Sequence, residues 1–134
     1  MRLAALPIPL PFGAFANQRS LVSLPNLVAA IAHALREPSG SETYVVADPH
    51  PVSLADIVTA LRRGMGRSPG LIAVPPGLIR LGLMALGRRQ DWERLSAPLI
   101  ADPSKLIAAG WRPDPDTMGA LAATAREWRT GSAR

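Results

Sequence analysis

The stretch "PFGAFANQRSLVSLPNLVAAI", residues 11–31, decides how this chain is organised, because it joins an extended segment to a helix through a short polar run. Residues 20–24 are mostly apolar and predict a short strand, and Pro25 suits the first turn of a helix. Arg19 lies at the root of that strand, where a guanidinium is costly to hold without an anionic partner. The stretch therefore predicts a strand, a helix and a candidate anion-binding arginine.

Both flanks of the stretch agree with this interpretation. Residues 6–13, "LPIPLPFG", have proline at every second position. They must be extended, and the missing N–H donors exclude a central strand. On the other side, four apolar residues have helical spacing and predict one apolar helix face: Leu27, Val28, Ile31 and Leu35.

Strand-like and helical patterns alternate along the rest of the chain. Strands are predicted at 43–47, 71–74 and 99–100, and helices at 53–64, 76–86, 103–110 and from about 116. Ser53 and Asp56 form a capping-box pattern, Asp102 is a predicted N-cap, and Gly110 is a helix stop. The apolar 76–86 segment is expected to be a buried helix, and a polar break follows Gly87.

We expect a single mixed α/β (α+β) unit over residues 1–134, with short edge-prone strands alternating with about five helices. Its last residues, 130–134, should be a frayed tail. The sheet is thin, which indicates a lobe that packs on something larger rather than a free-standing domain.

Composition narrows the function classes. The chain has no cysteine, which excludes disulfides and thiolate metal sites and fits a reducing, cytoplasmic location. His33 and His50 are far apart in sequence, one in a helical run and the other between prolines, so they make a poor pair of metal ligands and no metal site is expected.

The charge pattern concerns possible partners. The net charge is +5, and all the basic residues except Lys105 are arginines, which suits anionic partners. No basic run is interleaved with aromatics, so nucleic acid is not expected. The apolar segment 71–87 is short and interrupted by two prolines and Arg80, so no membrane partner is expected either.

No catalytic constellation is evident. The glycines of "GMGRSPG" (64–70) follow a helix and precede a strand, the reverse of a dinucleotide loop, so this segment predicts a helix stop and a loop. The serines lack a nucleophile elbow, and the carboxylates mostly occupy turn and cap positions. We therefore predict no catalytic residue.

Three segments carry a resemblance. "RSLVSLPNLV" (19–28) resembles the "R-D-Y-I-H-V-x-D-L-A" segment of extended short-chain dehydrogenases/reductases, the NAD-dependent sugar-nucleotide epimerases and dehydratases. "TYVVADPHPVSLADIVTAL" (43–61) is similar to the family's following strand, turn and helix. "ADPSKLIAAGWRPDPDTMGALAATAREW" (101–128) is similar to the family's ending. The subgroup that looks nearest acts on UDP-linked N-acetyl sugars as 4-epimerases or 4-keto reductases.

The resemblance implies an incomplete enzyme. The family's N-terminal half carries a glycine-rich cofactor loop and a catalytic Tyr-x-x-x-Lys, and this sequence has neither; Tyr44 is followed four residues on by Asp48. By resemblance, the chain is the C-terminal, substrate-binding lobe, and NAD(P) belongs to the complete enzyme. Alone it should neither bind the cofactor nor transfer hydride.

The resemblance also implies site residues. The backbone near Phe12 and Gly13 would lie along the nucleobase, Arg19 would contact the diphosphate, and Arg94 is the candidate for a second arginine. We expect Asn26 to be structural. Separately, we expect Trp111 to plug the core and Lys105 to pair with a nearby acid or lie on the surface.

Two functions stay open on the sequence. The first is nucleotide-sugar binding, with a UDP-sugar as ligand and a Rossmann half supplied in cis or in trans. The alternative is a non-catalytic protein-interaction or dimerisation module that uses the same lobe, with a second copy of the chain as partner.

Overall fold

The computed structural model describes residues 4–36 and 42–131. Within these ranges the chain forms six helices and a two-stranded sheet, so the mixed α/β composition is confirmed. The elements are β1 (Gln18–Arg19), α1 (Leu24–Arg36), β2 (Val52–Ser53), α2 (Leu54–Gly64), α3 (Pro76–Ala85), α4 (Arg89–Ser96), α5 (Ser104–Ala108) and α6 (Thr117–Gly131).

The packing of α2 against α6 is the main helix contact of the fold. It is close because Gly64 has no side chain: an added Cβ there would lie 2.8 Å from the Cα of Ala122. The predicted capping box at the start of α2 is confirmed, since Asp56 N donates to Ser53 Oγ at 3.1 Å and Ser53 N donates to the Asp56 carboxylate at 3.3 Å. Ala125 of α6 is fully buried beside Met65.

The sheet is smaller than predicted. β1 and β2 are antiparallel, with Gln18 opposite Ser53 and Arg19 opposite Val52, and single parallel bridges join Leu10 to Leu71 and Arg19 to Leu99. The predictions of regular strands at 20–24, 43–47, 71–74 and 99–100 are wrong. Apolar, β-branched composition marks extended chain, but a ladder also needs a partner that stays in register over several residues.

The described part of the chain also contains a helix, α4, in the segment after Gly87 where the sequence predicted only a polar break. Helix α4 has few apolar residues, but Trp92 and Leu95 are three apart and both pack on a core cluster that includes Phe12 and Phe15. The ring centroids of Phe15 and Trp92 lie 6.1 Å apart in an edge-on arrangement. Two apolar side chains at i and i+3 suffice to orient a two-turn helix that tertiary contacts stabilise.

Two apolar helix faces that the sequence predicts are exposed. In α1 the buried residues are Asn26 and Ala30, whereas Val28, Ile31 and Leu35 face outward. The prediction that α3 is buried is wrong, because α3 contains no buried residue. Helical spacing identifies an apolar face, but it does not say whether this chain covers it.

The C-terminal segment agrees with several predictions. Trp111 is 2% exposed and packs with Ala30 and Leu106, so its role as a core plug is confirmed. Gly110 precedes it with φ of +103°, a conformation that favours glycine. Helix α5 begins one residue later than predicted, so Pro103 and not Asp102 is its N-cap residue; the Asp102 carboxylate still accepts a 2.9 Å hydrogen bond from Ser104 N.

Helix α6 begins where the sequence predicts. Asp116 accepts a 2.8 Å bond from Gly119 N and so caps its first turn. The helix runs through Gly131, which takes in the first two residues of the predicted tail; residues 132–134 lie outside the described ranges. No helix of the described part is both long and apolar enough to cross a membrane.

Candidate functional site

Arg19 is positioned by β1 and meets the end of α4. Its Nη2 group donates to the backbone carbonyls of Arg94 and Leu95, the latter at 3.2 Å. These carbonyls lie in the last turn of α4, where backbone acceptors have no partner within the helix. The partial negative charge at a helix C-terminus favours a guanidinium there. Arg19 therefore has protein acceptors of its own, not only a possible ligand.

Asn17 reinforces the same contact. Its Nδ2 donates to Leu95 O at 2.7 Å, so two side chains of one segment hold the end of α4. The Nε atom of Arg19 is buried and has no hydrogen-bond partner in the described residues. The guanidinium is thus fixed in orientation through Nη2.

Arg94, the second predicted arginine, lies beside Arg19. Its carbonyl accepts from Arg19, while its side chain is exposed in the last turn of α4. No acid among the described residues forms an ion pair with the Arg94 side chain. The structure thus brings the two predicted arginines together through backbone contact.

Phe12 lies in the core cluster on which α4 packs, and Gly13 bonds to the backbone of Ile72. The Phe12 side chain is buried and packs edge-on against Phe15, with ring centroids 5.8 Å apart. Gly13 N donates to Ile72 O at 3.0 Å, and a Cβ on Gly13 would lie 3.0 Å from the same backbone. The phenyl ring is therefore a core group, and a ligand could meet only the backbone here.

Sequence reasoning missed the role of Asp48, which it placed in a turn. This carboxylate is 1% exposed and accepts three hydrogen bonds, from Ser23 N at 3.1 Å, Asn26 Nδ2 at 2.7 Å and Thr117 Oγ1 at 3.0 Å. Asn26 also exchanges two bonds with the backbone of Asp114, at 2.8 and 2.9 Å. The structural role predicted for Asn26 is confirmed, and the network fixes the starts of α1 and α6.

Arg62 was also missed. It is 4% exposed and donates to four backbone carbonyls: Leu6, Ile8, Pro69 and Gly70. The guanidinium thereby fastens the proline-rich segment to the loop after α2. A signal was present in the sequence, because Arg62 continues the Leu54–Val58 spacing of four residues and so belongs on the buried face.

Lys105 pairs with Glu42 on the surface, as predicted. The ammonium contacts the Glu42 carboxylate and lies 5.4 Å from the centre of the Tyr44 ring. Hydrogen bonding to Lys105, followed by its charge, lowers the pKa of Glu42, and the Glu42 hydrogen bond raises the pKa of Lys105. The pair is solvent-exposed and tethers residues 42–44 to α5.

An open groove of about 410 Å³ runs between residues 21–25 and the outer face of α6. Its walls are mainly leucine, valine, proline and alanine side chains, with Asp48 and Thr117 among the lining residues. Within the described ranges, no cluster of three or more histidine, aspartate or glutamate side chains could hold a metal ion.

Comparison with known proteins gives one informative relative. Over 121 residues the chain is 35% identical to a UDP-glucose 4-epimerase from Vibrio cholerae; the match covers 88% of this chain and 37% of that protein. No protein-family profile and no solved structure matches the chain. The chain is therefore related in sequence to part of an epimerase, and it spans well under half of that relative's length.

Proposed function

We propose that this chain is the nucleotide-sugar-binding part of an NAD-dependent epimerase, dehydratase or reductase, with a UDP-sugar as ligand. One observation carries the proposal: Arg19 is held in a fixed orientation at the end of α4, next to a second, unpaired arginine. The sequence relationship to a UDP-glucose 4-epimerase supports the ligand class.

The two arginines suit a diphosphate. The carbonyls of α4 hold Nη2 of Arg19, so Nη1 can donate to a phosphate oxygen without further ordering of the side chain. Those carbonyls also partly offset the charge of Arg19. The exposed Arg94 side chain would supply the additional positive charge that a diphosphate needs.

The nucleobase would lie against the backbone of residues 11–13. The Phe12 ring fills the core, so it holds that backbone in place rather than stacking on a base. Pro11 has no N–H and Gly13 N is already bonded to Ile72 O, so this main chain would serve a base edge mainly as a hydrogen-bond acceptor held in a fixed position.

Hydride transfer is not assigned to this chain. The sequence contains neither the glycine-rich cofactor loop nor the Tyr-x-x-x-Lys of the family it resembles, so NAD(P) and the chemistry would come from a Rossmann half in cis or in trans. The role of this part is to position the diphosphate, and orientation of that kind contributes much of an enzyme's rate. A cytoplasmic location is part of the same proposal.

Titration of the chain with UDP, followed by calorimetry and amide chemical shifts, tests the proposal. We expect shifts centred on residues 12–19 and 94, and Arg19→Gln should weaken binding about tenfold or more, since it removes a charge-assisted hydrogen bond. Arg126→Gln, an exposed change in α6, is the matched control. Absence of any response at millimolar UDP would refute the proposal.

A second function, protein interaction, is favoured by a different observation. Helix α1 presents Leu24, Val28, Ile31 and Leu35 outward at helical spacing, and the apolar groove lies beside its first turn. Such a surface is typical of a packing interface. A concentration-dependent dimer that Ile31→Lys abolishes, together with no UDP binding, would support this function over the first.

A further inference from the structure

Asn17 makes one side-chain hydrogen bond within the described residues, and that bond ends on α4. Its Nδ2 group donates to Leu95 O at 2.7 Å, while its Oδ1 atom is buried and has no partner there. The same carbonyl accepts a 3.2 Å hydrogen bond from Arg19 Nη2. A buried amide oxygen without a partner is costly to keep, which indicates that Asn17 is used for its contact with α4.

The backbone that carries Asn17 and Arg19 is held on both sides. Residues 18 and 19 pair with β2, and Leu99 bonds to the backbone of residues 18 and 20 at 3.1 and 2.7 Å. Asn17 and Arg19 are two positions apart, the spacing that places side chains on one side of an extended segment. Both side chains therefore reach α4 from a base whose position backbone bonds determine.

The contact of Asn17 determines where the last turn of α4 lies. Arg94 belongs to that turn, and its carbonyl also accepts from Arg19 Nη2. The side chain of Arg94 is exposed and forms no ion pair with an acid among the described residues. The position of this second guanidinium relative to Arg19 thus depends on how the turn is held.

Arg19 is a poor anchor for this turn when an anion is bound. A phosphate competes with the α4 carbonyls for its guanidinium, because charge-assisted hydrogen bonds are stronger than those to neutral acceptors. Asn17 is uncharged and attracts the anion far less. Its bond to Leu95 O can therefore hold α4 in place while Arg19 turns to a ligand.

We propose that Asn17 is a positioning residue that makes the site selective for a diphosphate over a monophosphate; this role rests on the proposed UDP binding. Arg19 alone can meet one phosphate group. A second phosphate group needs a second cation at a fixed separation, and Asn17 provides it by holding the turn that carries Arg94. Ordering this turn before the ligand arrives lowers the cost of binding.

A purely structural role for Asn17 leads to a different expectation, and Ser20 offers the comparison. The Ser20 hydroxyl donates to Ala101 O at 3.3 Å and accepts from Ala101 N at 3.0 Å, so it also fastens a distant segment to the same run of chain. It makes no hydrogen bond to α4 in the part of the chain that the structure describes. Loss of either side chain should lower stability, but only loss of Asn17 should change the discrimination between phosphates.

Titration of the full chain with UDP and with UMP, followed by amide chemical shifts, tests the proposal. The unmodified chain should bind UDP more tightly than UMP. Asn17→Ala should weaken UDP binding about three- to tenfold, as expected for one lost hydrogen bond, and should change UMP binding by less than about twofold. Asn17→Leu, which keeps the volume and buries no unpaired polar group, should lose the same discrimination. Ser20→Ala, the matched control, should leave the ratio of the two affinities unchanged.

A double-mutant cycle shows whether Asn17 acts through the second arginine. In the Arg94→Gln background, Asn17→Ala should have little further effect on UDP binding, because the group that it positions is gone. An unchanged ratio of affinities in both Asn17 variants, or a fully additive loss in the cycle, would overturn the role of Asn17 while UDP binding by the unmodified chain stands. If the unmodified chain binds no UDP, the proposed function fails, and the role of Asn17 fails with it.

Discussion

Asp48 Oδ1 accepts a 2.7 Å hydrogen bond from the Asn26 side chain, and Asp48 Oδ2 accepts another from Thr117, so one buried carboxylate joins the start of α1 to the start of α6. No cation contacts it among the described residues; hydrogen bonds alone satisfy its oxygens. Such a network specifies one arrangement of the two helices, because any other leaves buried polar groups unpaired.

Asp48→Asn should therefore destabilise the fold by about 2–3 kcal/mol, since the new amide puts a donor where an acceptor is required. Denaturant unfolding measures this change. Asp91→Asn is the matched control, because that side chain is 41% exposed and forms an ion pair with Arg88; the change should shift stability by less than about 0.5 kcal/mol. Equal effects of the two changes would contradict the role given to Asp48.

Gly64→Ala should destabilise the chain by about 2–3 kcal/mol, because the new methyl group would collide with the backbone of Ala122 and push α2 away from α6. Gly82→Ala tests the same substitution in α3, where nothing lies within 4 Å. There, loss of glycine entropy should stabilise the helix by about 0.5–1 kcal/mol. Thermal unfolding of the two variants should shift in opposite directions.

Arg62→Met should lower stability by about 2–3 kcal/mol, because four backbone carbonyls lose a charged hydrogen-bond donor that is itself buried. Arg63→Met, one position along the same helix and exposed, is the control. Hydrogen exchange should increase at Leu10 and Ile72, whose amides bond across the segment that Arg62 fastens. Unchanged exchange there would show that Arg62 is not what holds the proline-rich segment.

The Glu42–Lys105 pair should give a small, salt-sensitive dependence of stability on pH. The pKa of Glu42 is lowered, so its contribution is complete above the carboxyl's ordinary pKa and is lost as pH falls through the lowered value. The pKa of Lys105 is raised, so its contribution is lost as pH rises through the raised value. Melting temperatures of Glu42→Gln and the unmodified chain should differ at neutral pH and converge at both extremes.

Local signals in the sequence predicted the helices well. The capping box at Ser53, the stop at Gly110 and the cap at Asp116 act over a few residues, so the chain specifies them without distant contacts. Helix α4 was not predicted because its only apolar residues are Trp92 and Leu95. These two residues stabilise the helix through tertiary contact with the cluster that contains Phe15, and that contact is not visible in the local sequence.

In the candidate site, too, the sequence identified individual residues, whereas the contacts between them depend on the tertiary structure. The sequence singled out Arg19, although the strand that it predicted at 20–24 is absent and Arg19 lies in β1 itself; Arg94 was identified by resemblance. Their meeting could not be predicted, because it depends on α4 ending beside β1. The burial of Phe12, which leaves only backbone for a ligand, is likewise a result of core packing.

By itself, the sequence determined where most helices begin and end and which faces are apolar, because caps, glycines and spacing act locally. Tertiary structure alone decided which of those faces are covered: Asp48 and Arg62 are buried, while Leu35 and Leu81 are exposed. The physical reason is that burial depends on contacts between segments distant in sequence, and on whether every polar group taken from water finds a partner.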